Sequence, residues 1–382
     1  MVNNKHDAVS YENDGYKRDI FNGNALYDAY LKAKKGSEWK EEVQRFGMDY
    51  LLGLAKIQKE LKEKTYEFKP TREFILNERG KKRLISGEHF EDRIVKHSLC
   101  DEVLTPLIEP YLIYDNCASR KGKGIAQTRK RLDAHLSKFY RENKSNDGYI
   151  LLIDYSKYYD NIKHDVLLDL IKKYVSDETA IWLVEKILKK ARIDVSYMTD
   201  EKVKDTENGI FNSLEYNPDK RLLTGLKYLN KHLNIGDQTA QIAGVSYPIP
   251  IDNYIKIVKG AKYYGRYMDD SYIIHKERKF LKELLNKITE IADKIGIHIN
   301  KKKTRIVKLK HCWKFLQIRY RMTESGKITK KISKESLTRF RRKMKKLRKM
   351  LSFKSFTDWF KSWFTAHKKI LSNRQRANLC LI

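Results

Sequence analysis

Tyr267-Met268-Asp269-Asp270 is the stretch that decides how this chain is read. It stands between Lys262–Arg266 and Ser271–His275, two extended segments, so it forms the tip of a β-hairpin. Adjacent aspartates at such a tip, flanked by apolar strands, repel each other, and packing gives no reason to place them there. A divalent cation does, because oxygen ligands and positive charge remove the repulsion. A further carboxylate, Asp154, ends the run Tyr149-Ile150-Leu151-Leu152-Ile153, whose apolar character marks a buried central strand. If the two elements are neighbours in one sheet, three carboxylates meet at one point. That arrangement suits two Mg²⁺ ions about 4 Å apart, one activating an attacking hydroxyl and the other steadying a leaving group. An Asp-Asp pair alone is commonplace in a charged protein, so the weight lies in the combination.

The composition names the kind of partner. The 382 residues carry 80 Lys and Arg against 49 Asp and Glu, a formal charge of +31. Such a balance calls for a polyanion, and at this size for nucleic acid before a membrane surface. With 41% hydrophobic residues, 18 Gly and 6 Pro, the chain buries a sizeable core and is neither disordered nor collagen-like. Its length suggests two or three domains or subdomains. No apolar run reaches the roughly 18 residues of a membrane helix. Met1–Asp14 is polar and mixed in charge, unlike a secretory signal, so a cytoplasmic protein is expected. Cys100, Cys117, Cys312 and Cys380 show neither a disulfide framework nor zinc-ribbon pairs. His311-Cys312 lacks companions for a tetrahedral metal set, and buried thiols are expected.

Along the chain, Ala25–Lys35 and Glu38–Lys64 read as helices separated by Gly36-Ser37. Tyr66–Leu76 and Lys81–Ser86 pair through Asn77-Glu78-Arg79-Gly80 as a hairpin whose tip carries Arg79, Lys81, Lys82 and Arg83; by itself that is an ordinary solvated turn. Phe90–Leu112 has mostly helical spacing. Ser119–Gly124 is a glycine-rich turn with Arg120, Lys121 and Lys123, suited either to a phosphate backbone or to a flexible connection. His164–Val175 reads as a helix, and Asp194–Leu223 as an insertion of loops. In Gln241–Val258, Pro248 and Pro250 start any helix after Pro250. Glu277–Ile295 forms an amphipathic helix closed by Gly296. Lys331–Met350 has ten bases and one acid. Leu337, Phe340, Met344, Leu347 and Leu351 give it a packing face, which leaves Arg341, Arg342, Lys345 and Lys346 for phosphates or solvent.

Over roughly residues 65–365 these motifs, in order, resemble those of the prokaryotic reverse transcriptases. Leu151-Leu152-Ile153-Asp154-Tyr155-Ser156-Lys157-Tyr158-Tyr159-Asp160 is similar to their first catalytic motif, and Tyr267–Asp270 to their best-known one. Asn300–Thr304 resembles the Asn-x-x-Lys-Thr segment that follows, and Phe315-Leu316 the start of the primer-grip hairpin. Glu91–Val95 and Ala118–Gly124 resemble fingers motifs, and the basic carboxyl-terminal helix occupies the thumb position. Around Asn234–Gln241 the style is that of the diversity-generating and unknown-group defence members, with Gly236, Gln241, Tyr247 and Asp252 in the matching places. Ile235 replaces the usual glutamine, Ala240 a serine and Val245 an asparagine, and Phe315-Leu316-Gln317 lacks the usual Gly. These departures bear on substrate choice and leave the carboxylates intact.

The resemblance implies an α+β, right-hand polymerase fold with fingers, a palm built on an antiparallel sheet, and a helical thumb. Its divisions are an N-terminal helical extension at 1–68, fingers at 69–147, a palm at 148–320 with a loop insertion at about 194–223, and a thumb at 321–382. The residues after Phe315-Leu316 suffice for a thumb and for no RNase H, maturase or HNH domain. The implied activity is RNA-directed DNA polymerisation from dNTPs on a noncoding RNA template, giving a DNA product, with an antiphage role in related members and no membrane involved. Asp154, Asp269 and Asp270 would carry two Mg²⁺ ions, or Mn²⁺ in their place, helped by the Ile153 and Tyr155 carbonyls. Tyr159 falls at the steric-gate position, where a ring under the sugar leaves no room for a 2′-hydroxyl; otherwise it is simply core. Arg83 with Lys81 or Lys82 would hold the triphosphate, beside Ile235, Gly236 and Gln241. Lys303 would protonate pyrophosphate, or is one of three consecutive surface lysines. A template-independent or protein-primed polymerase and a non-catalytic RNA-binding scaffold are the rivals, and a second copy or a partner protein is left open. RNA synthesis is disfavoured by Tyr159.

Overall fold

The computed structural model describes residues 20–78 and 80–380. Residues 1–19, including Met1–Asp14, Arg79 of the hairpin tip, and residues 381–382 lie outside the described residues.

Helices α1 (Gly23–Lys34), α2 (Glu41–Met48) and α3 (Tyr50–Lys62) come first. The chain breaks at Gly36 as expected, but the single helix expected over Glu38–Lys64 divides at Asp49, whose φ −127 and ψ 40 are not helical. The bend brings the Phe46 ring over Gly53, where a Cβ would come within 2.6 Å of it, and edge-on to Phe90 at 5.3 Å. Leu26, Ala29 and Ala33 of α1 share the main core with Ile94 and Val95, so the extension packs as part of the fold.

Strands β1 (Arg72–Glu78) and β2 (Lys81–Gly87) form the expected hairpin, but its first arm starts at Arg72 instead of Tyr66 and takes in Asn77 and Glu78, expected in the turn, pairing from Arg72↔Gly87 to Glu78↔Lys81. Helix α4 (Phe90–Leu99) runs through a wider π-helical turn, Cys100–Leu104, into α5 (Thr105–Ile108), followed by α6 (Ile125–Asn143).

Next come β3 (Tyr149–Ile153), β4 (Tyr155–Ser156), α7 (His164–Lys172), α8 (Glu178–Lys190), β5 (Ile193–Asp194), α9 (Asp200–Asn208) and β6 (Tyr228–Leu229). The segment expected to be loops is therefore partly ordered: α9 and the β5–β6 pair enclose a small core of Val195, Met198, Phe211 and Leu229. Its apolar residues are too sparse and irregular in sequence to show a period. Helix α10 (Gln238–Ser246) precedes both prolines, contrary to a start after Pro250, because the Asp237 carboxylate caps it through the Ala240 N–H. Helix α11 (Ile249–Asn253) then begins with Pro250 in its first turn.

The remaining elements are β7 (Tyr263–Tyr267), β8 (Asp270–His275), α12 (Arg278–Lys294), β9 (His298–Ile299), β10 (Arg305–Lys308), β11 (Trp313–Phe315), β12 (Ile318–Met322), β13 (Ile328–Ile332), α13 (Lys334–Met350), α14 (Phe353–His367) and α15 (Asn373–Cys380). Gly296 closes α12 at φ +83.

The central sheet is antiparallel in the order β10-β3-β8-β7. Alternation along β3 sends Leu151 and Ile153 into one core and Ile150 and Leu152 into another. Both faces are covered, and that is why the strand reads as continuously apolar. Sheet β11-β12-β13 joins the second core through Trp313, Phe315 and Tyr320. Leu337, Phe340 and Met344 of α13 pack with Trp359 and Trp363 of α14. Cys100 and Cys117 are buried, but Cys312 is exposed, correcting the expectation for that thiol, since its neighbour Trp313 takes the inward place on β11. Among the described residues no helix is long and apolar enough to cross a membrane.

Candidate active site

Strand register sets two sequence-distant carboxylates, Asp154 and Asp270, at neighbouring strand ends. Strand β3 pairs with β8 from Tyr149↔His275 to Ile153↔Ser271, so the next step sets Asp154 across from Asp270. Tyr267 pairs with Asp270 across the β7–β8 turn, and Met268 and Asp269 form its two-residue tip. Met268 adopts φ 54, a conformation that costs a non-glycine residue about 1–3 kcal/mol and persists only where its surroundings enforce it. The enforcing residue is Arg266. Its guanidinium donates to the Met268 carbonyl at 3.1 Å and to that of Val245 at 2.7 Å, and grips the Asp252 carboxylate at 2.7 Å. Both partners of that ion pair are 1% exposed. Sequence spacing singles out Asp252 as a family position; Arg266 gives no signal beyond being a charged residue in an apolar strand.

A second turn holds Asp154. The Asn300 side chain accepts from the Lys302 and Lys303 N–H groups, a local turn that shapes Asn300–Thr304. The Asn300 N–H donates to the Asp154 carbonyl at 2.8 Å, and the Asp154 N–H donates to the Thr304 hydroxyl at 3.2 Å. Lys303 reaches back to the Asp154 carboxylate at 2.9 Å. Tyr155 is buried and pairs with Ile299 through β4–β9.

The donor set can be tested for fit to a divalent cation. Among the described residues no three His, Cys, Asp or Glu side chains are clustered closely enough to hold an ion as they stand. Asp154 is drawn onto Lys303 instead. The chemistry nevertheless fits: carboxylate oxygens are the ligands a hard cation takes, and the register sets two of the three carboxyls at neighbouring strand ends.

Tyr159 lies beside this point. Its hydroxyl donates toward the Met268 sulfur at 3.7 Å. Burial first, and then the charge of Asp269, push its ionisation well above the ordinary phenol range, so it stays protonated. A Cβ on Gly244 would stand 2.7 Å from the Tyr159 hydroxyl, so the absent side chain at 244 is what lets the ring seat there. The neighbouring Tyr158 donates to the Gly244 carbonyl at 2.7 Å.

The hairpin β1–β2 closes over the same region. The Ser86 N–H reaches the Ile235 carbonyl at 3.4 Å, and Ile85 lies against Gly236, which adopts φ +138. Arg83 shares its strand face with Ile85, Lys82 points to the other face, and Lys81 opens β2 opposite Glu78. Gln241 accepts from the Ser119 hydroxyl at 3.2 Å.

Beneath this segment runs a buried ion triad that the sequence does not announce. Lys96 donates to Asp237 at 2.6 Å and to Glu88. Burial works against the Lys96 charge, but Asp237 and Glu88 hold its pKa above the ordinary value; burial and the Asp237 charge push Glu88 upward. Likewise Asp160, second acid of its motif, meets His232 at 3.0 Å and accepts from the Ser213 N–H, while Asn161 binds the Phe211 backbone. Asp160 and Asn161 dock the 194–230 insertion.

The basic residues separate into two kinds. Arg120 is committed within the chain, to Glu109 at 2.8 Å and to the Ile113 and Asn116 carbonyls. Lys123 donates to the Tyr114 carbonyl at 2.7 Å over that ring. Lys121, by contrast, lines an open cleft of about 560 Å³ with Gly236 and Gln241. On α13, Arg342, Lys345 and Lys346 are exposed and Arg341 half-buried, opposite the face packed on α14.

Residues 68–320 match the family described as reverse transcriptase (RNA-dependent DNA polymerase). The chain is 28% identical over 146 residues, 38% of its length, to a COX1/OXI3 intron 1 protein of Saccharomyces cerevisiae, of which it spans 16%. Solved telomerase structures are also similar. Apo telomerase from Candida tropicalis aligns with 69% of this chain at 12% identity and TM-score 0.47. Candida albicans telomerase in complex with a fragment of telomeric RNA aligns with 78% at 11% identity and TM-score 0.47. In each case this chain spans 49% of the telomerase chain.

Proposed function

The chain belongs to the reverse transcriptase (RNA-dependent DNA polymerase) family, with the α+β right-hand fold expected of it, and from that premise we propose that it extends a DNA strand on an RNA template with dNTPs. The observation that carries the reading is the register that aligns Asp154 with Asp270 beside Asp269. Asp154, Asp269 and Asp270, with the Ile153 and Tyr155 carbonyls, are the groups that would hold two Mg²⁺ ions, or Mn²⁺ in their place. Such ions supply Lewis-acid stabilisation of the attacking and leaving oxygens.

The rest is work for the chain's own residues. Tyr159, protonated and seated against Gly244, forms the floor under the sugar and excludes a 2′-hydroxyl. Arg83, on the hairpin face turned toward Gly236, orients phosphate oxygens, with Lys81 or Lys82 adding charge. Lys303, at the Asp154 carboxylate, is placed to deliver a proton to departing pyrophosphate. Ile235, Gly236 and Gln241 line the nucleotide's other side. The exposed bases of α13 and Lys121 meet the template–primer backbone, with Lys123 and Arg120 shaping the turn.

The motif style at Gly236 and Gln241 supports a place among the prokaryotic diversity-generating and defence-associated members. From it we extend the proposal to a dedicated noncoding RNA template, an antiphage role and a cytoplasmic setting. The test is to purify the full chain, sequence the RNA and DNA that accompany it, and repeat DNA synthesis after RNase treatment. Product complementary to the bound RNA and lost with RNase supports the reading. RNase-resistant synthesis marks a template-independent or protein-primed enzyme, and RNA binding without synthesis marks a scaffold.

A further inference from the structure

A second cavity, of about 670 Å³, opens between α7, α8 and the Asn230–Lys231 segment, and none of its lining residues belongs to the candidate active site. Its chemistry is cationic and aromatic. Lys163, Lys189 and Arg192 stand on its wall with the Trp182 ring, which Lys186 approaches to 4.9 Å from the centroid. Lys189 and Arg192 are exposed and have no side-chain hydrogen bond or ion pair among the described residues. Three acids also line it: Glu185 binds Lys172 at 3.0 Å, and Asp165 accepts from the Val166 N–H at 2.8 Å, against five bases, Lys163, Lys186, Lys189, Arg192 and Lys231. Glu207 takes only a long 3.5 Å contact from the Asn230 N–H. Burial, and then the charge of Lys163, lower the pKa of the Lys231 ammonium to about 8, while it donates to the Gly209 carbonyl at 2.8 Å.

His164 adds a directional group. It is 6% exposed, and its Nε2 lies 2.7 Å from the His232 carbonyl, which can only accept. That fixes the proton on Nε2 and leaves Nδ1 as a buried acceptor, unpartnered among the described residues, on a residue that lines the same cavity. A buried acceptor without a donor is costly, which marks this wall as incompletely satisfied.

We propose that this cavity is a nucleotide subsite separate from the polymerase centre, taking a base against Trp182 and a phosphate between Lys163, Lys189 and Arg192. Aromatic stacking beside a cationic cluster is the sequence-tolerant way proteins hold single-stranded nucleic acid or a nucleoside phosphate. The volume admits one or two nucleotides, and the source is either a strand of bound RNA or a free nucleotide. The inference goes beyond the polymerase reading and does not depend on it.

Photocrosslinking the full chain separately to an azido-ATP and to a short 4-thiouridine RNA, with the modified peptide mapped, tests it. Both probes are also applied to the K189E/R192E variant, whose changes lie on exposed positions. The expected result is a crosslink between residues 163 and 231 for at least one probe. In the variant its yield falls about tenfold, because two phosphate contacts turn repulsive. DNA synthesis on a supplied primer–template stays within about twofold, as expected for surface changes remote from the centre. A crosslink with the RNA alone identifies a strand as occupant, and one with azido-ATP alone a free nucleotide. No crosslink in that region with either probe, or a yield the variant leaves unchanged, overturns the proposal. Primer extension is read separately, so failure of the subsite is distinguishable from failure of the polymerase assignment.

Discussion

Lys303 Nζ lies 2.9 Å from one carboxylate oxygen of Asp154 and 3.2 Å from the other, across 149 residues of chain. The contact exists because Asn300 folds its turn and Thr304 ties that turn to the Asp154 backbone. Replacing Lys303 therefore separates pairing from proton delivery. Lys303→Ala is expected to slow single-nucleotide incorporation about 10²-fold or more, in the range of a lost general acid. Lys303→Arg keeps the charge at Asp154 but holds its proton too tightly, so it stays slow. Wild-type rate in the Arg variant would reduce Lys303 to an electrostatic partner.

Arg266 and Asp252 make the turn that presents Asp269 and Asp270. Removing one partner leaves the other buried and unpaired. Asp252→Ala should destabilise the chain by about 3–5 kcal/mol, measured by denaturant unfolding. A loss under about 1 kcal/mol, within the range of exposed ion pairs, would show that the pair does not hold the turn.

Gly244 and Tyr159 act as one unit, because a Cβ at 244 would stand 2.7 Å from the Tyr159 hydroxyl. Tyr159→Ala is expected to lower discrimination of dNTP against rNTP by about 10–10²-fold in kcat/KM. Gly244→Ala should shift discrimination in wild type and have little further effect in the Tyr159→Ala background, as coupled residues do. Additive effects would make the two independent.

His164 gives the fold a pH dependence. Burial, the largest cause, lowers its pKa to about 4 in the folded chain, against about 6.5 unfolded. Between those values the unfolded state binds the extra proton, so stability is full above pH 6.5 and falls as pH drops toward 4. The loss should reach roughly 2–3 kcal/mol by pH 4. His164→Gln should remove most of that slope in urea titrations at successive pH values. An unchanged slope would assign it to other groups.

The placement of several candidate-site residues was legible in the sequence, for a physical reason. A strand buried on both faces has to be apolar, so a carboxylate at its end, like Asp154, is conspicuous. The Tyr-Met-Asp-Asp tip is equally exposed to reading, as is the capped stripe of α12. What escaped is what depends on partners distant in sequence. Arg266 looks like any basic residue until Asp252 faces it, and Lys96 until Glu88 and Asp237 do. Helix α10 was hidden behind Pro248 and Pro250, whose veto ends at the residues just before them, while Asp237 supplied a start signal. The 194–230 insertion was unreadable because its core is only a handful of side chains held by Asp160 and Asn161.

The most direct test of the central claim is RNA-templated incorporation of labelled dNTP by the full chain and by the Asp269→Asn, Asp270→Asn double variant, with template–primer binding measured alongside. The wild-type chain is expected to extend the primer. The double variant should bind the duplex at comparable affinity yet lose incorporation by about 10³-fold or more, the scale of a removed metal-assisted step. Incorporation by the double variant at the wild-type rate would contradict the account.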